Sequence, residues 1–138
     1  MSARDTYHSC VRNALTKDGW TITHDPYRMF FGPKDVYVDL GAERILGAEK
    51  GDARIAVEIK SFQGASDIHD LELAIGQYIF YRSLLTRFES GRRIFLAVPA
   101  FAYENTLQEP IARPVLADES VALIVFDPEQ EVIVQWLT

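Results

Sequence analysis

A single cysteine, Cys10, in 138 residues rules out an intrachain disulfide and a cysteine-based zinc cluster. It reads as a buried structural thiol of a protein in a reducing cytoplasm. Basic residues are also scarce: 14 Lys and Arg stand against 20 Asp and Glu, a net charge of −6. That is the wrong balance for a passive nucleic-acid binder, which presents a basic face. It does not exclude a nuclease, because carboxylates that hold a metal add to the negative count and the metal inverts the local field. No apolar run reaches the roughly 18 residues of a membrane span. Met1-Ser2-Ala3-Arg4-Asp5 lacks the apolar stretch of a secretory signal. The histidines His8, His24 and His69 are scattered without metal-ligand spacing, although His8 could face a site from the first helix. There is no repeat, low-complexity tract or linker.

What is present fits one domain, 1–138, with an apolar fraction of 48% and length enough for a real core. Tyr7, Val11, Ala14 and Leu15 fall on one face of a helix expected from Asp5 to Asp18 and stopped by Gly19. Trp20 to Thr23 reads as a strand, and residues 27–33, aromatic and bracketed by prolines, as a packed loop. Val36 to Val38 is extended. Ile45 to Glu49 and Arg54 to Lys60 read as strands joined by Lys50-Gly51-Asp52-Ala53, a hairpin signal. Ser66 or Asp67 caps a helix running to about Glu89. Arg93 to Val98 is a buried strand stopped by Pro99, and Phe101 to Gln108 a short helix. Pro110 and Pro114 break up the segment after it. Val121 to Phe126 and Glu131 to Leu137 are strands joined by the turn Asp127-Pro128-Glu129-Gln130. The order predicts an α/β domain with a mixed sheet flanked by helices.

Two patterns carry chemistry. The first is Glu58-Ile59-Lys60, closing the apolar run Ile55-Ala56-Val57. Strand alternation sends Ile55, Val57 and Ile59 to one face and Ala56, Glu58 and Lys60 to the other. A turn centred on Gly51-Asp52 would set Ile45 across from Glu58 and Glu43 across from Lys60, on one surface. Asp39 has the parity of Glu43 and can join if the chain stays extended or bends back, which Gly41 would permit. Two or three such carboxylates, with the backbone carbonyl of Ile59, form an oxygen site suited to Mg²⁺ or Mn²⁺. A cation there polarises a phosphate, and Lys60 stabilises the developing charge. The bland alternative is a cross-strand ion pair on a solvated face. The second pattern is Gln77 and Tyr81, one turn apart on the long helix and flanked by Ala74, Leu84 and Leu85. Their amide and hydroxyl can orient a phosphate or a metal-bound water.

Other residues are discounted. Trp20 and Trp136 read as core aromatics. Arg92-Arg93 is too short for a nucleic-acid patch, though it could touch phosphate from a strand end. Ser61 has no neighbouring base to make it a nucleophile.

An upstream acid, a hairpin, Glu-x-Lys and then Gln-x-x-x-Tyr on the next helix resembles the PD-(D/E)xK, or restriction-endonuclease-like, superfamily, in particular its RecB-like branch. The resemblance implies that Glu58 and an upstream acid, Asp39 or Glu43, bind a divalent metal, that Lys60 assists the attacking water, and that Gln77 and Tyr81 are the helix pair. Neither candidate acid follows a proline, a departure from that pattern. The whole chain more closely resembles the XisH family, described as fdxN-element excision controlling factors. The carrying segments are Lys17 through Pro26, Asp39-Leu40-Gly41-Ala42-Glu43, Val57 through Phe62 and Val132-Ile133-Val134-Gln135-Trp136. This resemblance implies a role in programmed excision of a DNA element, with an XisI-type companion and with homo-oligomerisation left open; the net charge of −6 implies that the chain alone binds DNA weakly. A Mg²⁺-dependent DNA endonuclease and a catalytically inactive, partner-binding regulator are both consistent with it. A toxin–antitoxin-like pair with a companion is a third role for the same chemistry.

Overall fold

The computed structural model describes residues 6–47 and 51–138. In chain order the elements are α1 (His8–Lys17), β1 (Thr21–His24), β2 (Tyr27–Phe31), β3 (Lys34–Val38), β4 (Leu40–Gly47), β5 (Gly51–Ile59), α2 (Asp67–Phe88), β6 (Arg92–Pro99), α3 (Ala100–Glu104), α4 (Arg113–Asp118), β7 (Leu123–Asp127) and β8 (Val132–Leu137). A six-stranded sheet runs β1-β4-β5-β6-β7-β8, and β2 and β3 form a separate pair. The centre of the sheet, β5-β6-β7, is parallel, while β1, β4 and β8 join antiparallel. This is the mixed α/β layering expected.

Both faces of the sheet are covered. Val57, Phe95 and Ile124 pack towards α1 with Val11 and Leu15. Ala56, Leu96 and Val98 pack towards α2 with Leu71, Ala74 and Tyr78. The alternation expected along β5 therefore holds, but neither face is open to solvent, as is usual for strands in a parallel sheet. Ser66 caps α2 by accepting the His69 N–H at 3.2 Å. Trp20 and Trp136 are core neighbours, their rings 5.6 Å apart.

Several expectations need correction. Residues 27–31 are a strand, not a loop: Tyr27 and Met29 point inward, Arg28 and Phe30 outward, and Gly32 turns the chain at φ +58°. The aromatic content hid an alternating pattern. The expected helix over 101–108 is α3 followed by a separate 3₁₀ turn, Thr106–Gln108. Pro114 does not break structure but opens α4, where a missing N–H costs nothing. The expected helix start at Asp5, the end of the expected strand at Glu49 and Lys50 of the expected turn lie outside the described residues.

The β4–β5 register differs most consequentially. Glu43 faces Arg54, not Lys60, and Ile45 faces Asp52, not Glu58. Gly51 and Asp52 belong to β5 rather than to the turn, so the strand is longer and the pairing slides. Arg92 is at a strand end, as expected, but it is buried at the start of β6 rather than open to a phosphate. It donates to the carbonyl of Ile55 (2.9 Å) and to Glu89 (2.9 Å), lies 3.6 Å from Glu43, and stacks over the Tyr27 ring. Tyr27 and Arg54 add hydrogen bonds to Glu89.

Arg92→Met should therefore cost about 1–3 kcal/mol in urea unfolding, because it leaves the buried Ile55 carbonyl without its donor, while Tyr27 and Arg54 keep Glu89 paired. Glu43→Gln, at a longer and more exposed contact, should cost under about 1 kcal/mol.

Candidate metal centre

Asp39 lies in the bend between β3 and β4. The next residue, Leu40, pairs with Val57 in β5, which brings Asp39 beside Glu58. The backbone laces the two acids together. The Ile59 N–H donates to Asp39 Oδ2 at 2.8 Å, and the Asp39 N–H donates to Glu58 Oε1 at 3.3 Å. Each carboxylate is thus oriented by the other's strand.

The electrostatics are unfavourable for two bare anions. Glu58 is only 7% exposed. Burial, and next the charge of Asp39, push its pKa up to about 9, with Lys60 acting the other way. Lys60, half-buried just beyond β5, is pinned by its N–H to the carbonyl of Ala97 at 3.0 Å. Tyr81 reaches the same place from α2: burial and then the charges of Glu58 and Asp39 push its phenol up to about 12. Gln77, one turn earlier, has a buried Oε1 without a hydrogen-bond partner among the described residues. The structure therefore brings together Asp39, Glu58, Lys60 and Tyr81, and leaves Gln77 on the adjoining turn with an acceptor to fill.

Glu43 is not brought to this place. From Arg54, its cross-strand partner, to Glu58 is four residues of β5, about 13 Å. Among the described residues no group of three or more His, Cys, Asp or Glu could hold a metal. Two carboxylates still suit a Mg²⁺-type ion, which keeps several waters and takes one or two carboxylates plus substrate phosphate oxygens. The raised proton affinity of Glu58 marks a place where added positive charge is favourable.

Phe62, Gln63 and Asp25 had no signal in the sequence, whereas His8 already stood out on the first helix. Phe62, buried and two residues after Lys60, has φ +57°, a conformation uncommon for an aromatic residue, and turns the chain off the sheet. Gln63 then donates to Tyr7 Oη at 2.9 Å. His8 is buried, with Nε2 2.7 Å from Asp25, which also accepts from Arg12 at 2.6 Å. Asp25 follows His24, the partner of Gly41 in β4, so this trio lies close to the start of β4.

The sign of the pH dependence is set by Glu58. Its folded pKa lies above its ordinary 4.5, so the contribution of Glu58 to the stability of the metal-free protein is greatest below that value and is lost as pH rises towards 9. Glu58→Gln removes this dependence. The variant should exceed the parent by on the order of 2 kcal/mol at pH 8.5 and match it near pH 5, read from denaturant midpoints without metal. A constant difference across that range would contradict the burial argument.

The family model "XisH protein" matches residues 1–134. Two solved structures resemble the whole chain. One is an XisH family protein from Nostoc punctiforme PCC 73102, 39% identical, with a TM-score of 0.86 over 97% of this chain and 100% of that one. The other is a fdxN element excision controlling factor protein from Anabaena variabilis, 39% identical, with a TM-score of 0.88 over 98% of this chain and 100% of that one. Comparison with curated proteins gave no match. With the family model covering nearly all of its length and two structural relatives sharing its fold end to end, the chain belongs to the XisH family.

Proposed function

We propose that the chain is a metal-dependent phosphodiester hydrolase of the PD-(D/E)xK type that acts on DNA during excision of a DNA element. The observation that carries this reading is the laced pair Asp39 and Glu58, with Lys60 and Tyr81 beside it. The name of the Anabaena relative supplies the excision context.

Asp39 and Glu58 would hold Mg²⁺ or Mn²⁺, with the Ile59 carbonyl as a further oxygen. The ion would supply charge to polarise the phosphate and to lower the pKa of the attacking water. Lys60 places an ammonium where negative charge grows on the phosphoryl oxygens. Tyr81 remains a neutral donor at physiological pH, because its pKa is raised, and can bond a phosphate oxygen. The unfilled Gln77 acceptor orients a hydroxyl or water. Glu43 has no part in this chemistry, its carboxylate being directed to Arg92. A net charge of −6 keeps unaided affinity for DNA low.

The rival reading is a regulator that keeps the fold and binds a protein companion. It draws on the acidic balance and on the lack of a three-ligand group among the described residues.

Incubation with plain, nicked and branched DNA should give cleavage with Mn²⁺ or Mg²⁺. Asp39→Asn, Glu58→Gln and Lys60→Ala should each lower the rate at least about 100-fold. Glu43→Gln should stay within about threefold of the parent. Cleavage that survives the first three substitutions would sink the assignment. Calorimetry that finds no Mn²⁺ site at millimolar metal would favour the regulator.

A further inference from the structure

The outer margin of the acid pair carries an open aromatic ring. Gln77 and Tyr81 share one face of α2. Helical spacing sets Leu73 four residues before Gln77 and Phe80 three after it, so both lie along the edge of that face. Burial falls off across it: Tyr81 is buried, Gln77 half-buried, Leu73 41% exposed and Phe80 54% exposed. The Phe80 and Tyr81 rings are neighbours, with centroids 6.1 Å apart and planes tilted by 49°. Tyr81 in turn lies where it feels the charges of Glu58 and Asp39. One side chain thus separates an exposed aromatic face from the acids.

The charge balance bears on what could hold a substrate at this edge. Residues 61–81 contain no Lys or Arg. Arg82, the next residue of the helix, is tied to Glu119 at 2.9 Å. Attraction to phosphates supplies nearly all of the non-specific affinity of a protein for duplex DNA, and a chain of net charge −6 has little of it. Stacking is a source of affinity that needs no cation, and it serves every base, because each has a π-face. A base inside a duplex has both faces covered by its neighbours and must leave the stack before it can use such a ring. The gain is therefore open to unpaired nucleotides.

We propose that Phe80 is a stacking platform for a base next to the scissile phosphate, and that the site takes DNA with unpaired nucleotides, a single strand, flap or gap, rather than intact duplex. The inference rests on the hydrolase reading and adds to it the class of DNA. Leu73 gives apolar cover on the same edge, one turn nearer the start of the helix.

The test is fluorescence anisotropy of the full chain with a labelled oligo-dT of about 20 nucleotides, longer than the site of a typical strand-binding fold. A duplex of the same length is the comparison, both in Ca²⁺. The single strand should bind at least about tenfold more tightly than the duplex. Its log affinity should fall with log salt no more steeply than about −2, because few phosphates are neutralised. Phe80→Ala, a surface change, should weaken strand binding at least about fivefold and leave duplex binding unchanged. Phe80→Tyr, which keeps the ring, should stay within about twofold of the parent. Binding of neither DNA, equal affinity for both, or strand binding that Phe80→Ala leaves intact would overturn the proposal. So would an equal loss in Phe80→Ala and Phe80→Tyr. Cleavage is scored apart, in Mg²⁺ or Mn²⁺. Strand binding that depends on Phe80 in a chain that cuts no DNA refutes the hydrolase and supports the stacking site. Cleavage of duplex and single strand alike, insensitive to Phe80→Ala, refutes the stacking site and supports the hydrolase.

Discussion

The pairing of β4 with β5 is the constraint on which the rest depends. With Leu40 opposite Val57, Asp39 falls beside Glu58 at one end of the hairpin and Glu43 falls opposite Arg54 towards the other. A slip of one residue would turn every side chain of β4 to the wrong face and bury its polar set against α1. Apolar residues on both sides of β5 forbid that slip: Val57 and Ile59 are needed under α1, and Ala56 is needed under α2. The register that satisfies the core is thus the register that assembles the acids, so site and fold are specified together.

The two ends of these central strands handle buried charge in opposite ways. At the β6 start, Arg92 and Arg54 face Glu43 and Glu89, a balanced set closed by the Tyr27 hydroxyl and by backbone carbonyls. Such a set is internally satisfied, and its role is to lock the α2–β6 turn. At the other end, Asp39 and Glu58 lie side by side, and Lys60 is the cation that counts against Glu58 among the described residues. The same fold that neutralises one carboxylate cluster holds the other in a state that disfavours its own ionisation. A pair held side by side by two backbone N–H groups, although burial disfavours its ionisation, has a cost that packing alone does not explain.

Much of this was legible in the sequence because it rests on local rules. The periodicity of residues 7–15, the Ser66 cap, the Pro99 stop and the alternation along 55–60 each depend on neighbours a few positions apart, and each holds in the structure. The chemistry-bearing types Glu58, Lys60, Gln77 and Tyr81 were equally visible, since a Glu-x-Lys strand end and a Gln-x-x-x-Tyr helix turn are local patterns. Choosing between Asp39 and Glu43 was not local. It required the hairpin register, which depends on where the turn falls, and the pair Gly51-Asp52 resembles a turn while serving as strand. The aromatic segment 27–31 misled for a related reason: its inward and outward residues are both bulky, so alternation in burial left no alternation in hydrophobicity. Phe62 at positive φ, and the contact of Asp25 with His8 and Arg12, arise only from tertiary packing.

Helix α2 links these arguments, because its faces obey different demands. Leu71, Ala74, Tyr78, Tyr81 and Leu85 form the seam against the sheet. Within it, Tyr78 ends on the backbone of Ala122 at 3.0 Å, whereas Tyr81 ends beside the acid pair. Two tyrosines less than one turn apart thus divide the work: one satisfies a buried N–H and fixes the depth of the helix, and the other delivers its hydroxyl to the site at that depth. The remaining faces bear no load from the sheet, and they mix exposed polar residues, Asp67, His69, Glu72, Ser83, Thr86 and Arg87, with exposed apolar ones. A helix whose buried seam already sets its position has no structural use for exposed Ile68, Leu73 and Phe80. Exposed apolar side chains of this size persist at a cost in solubility, and the acids of the first turns offset part of it. The helix is therefore over-determined on its inner side and under-used on its outer side, an asymmetry that packing within one chain does not account for.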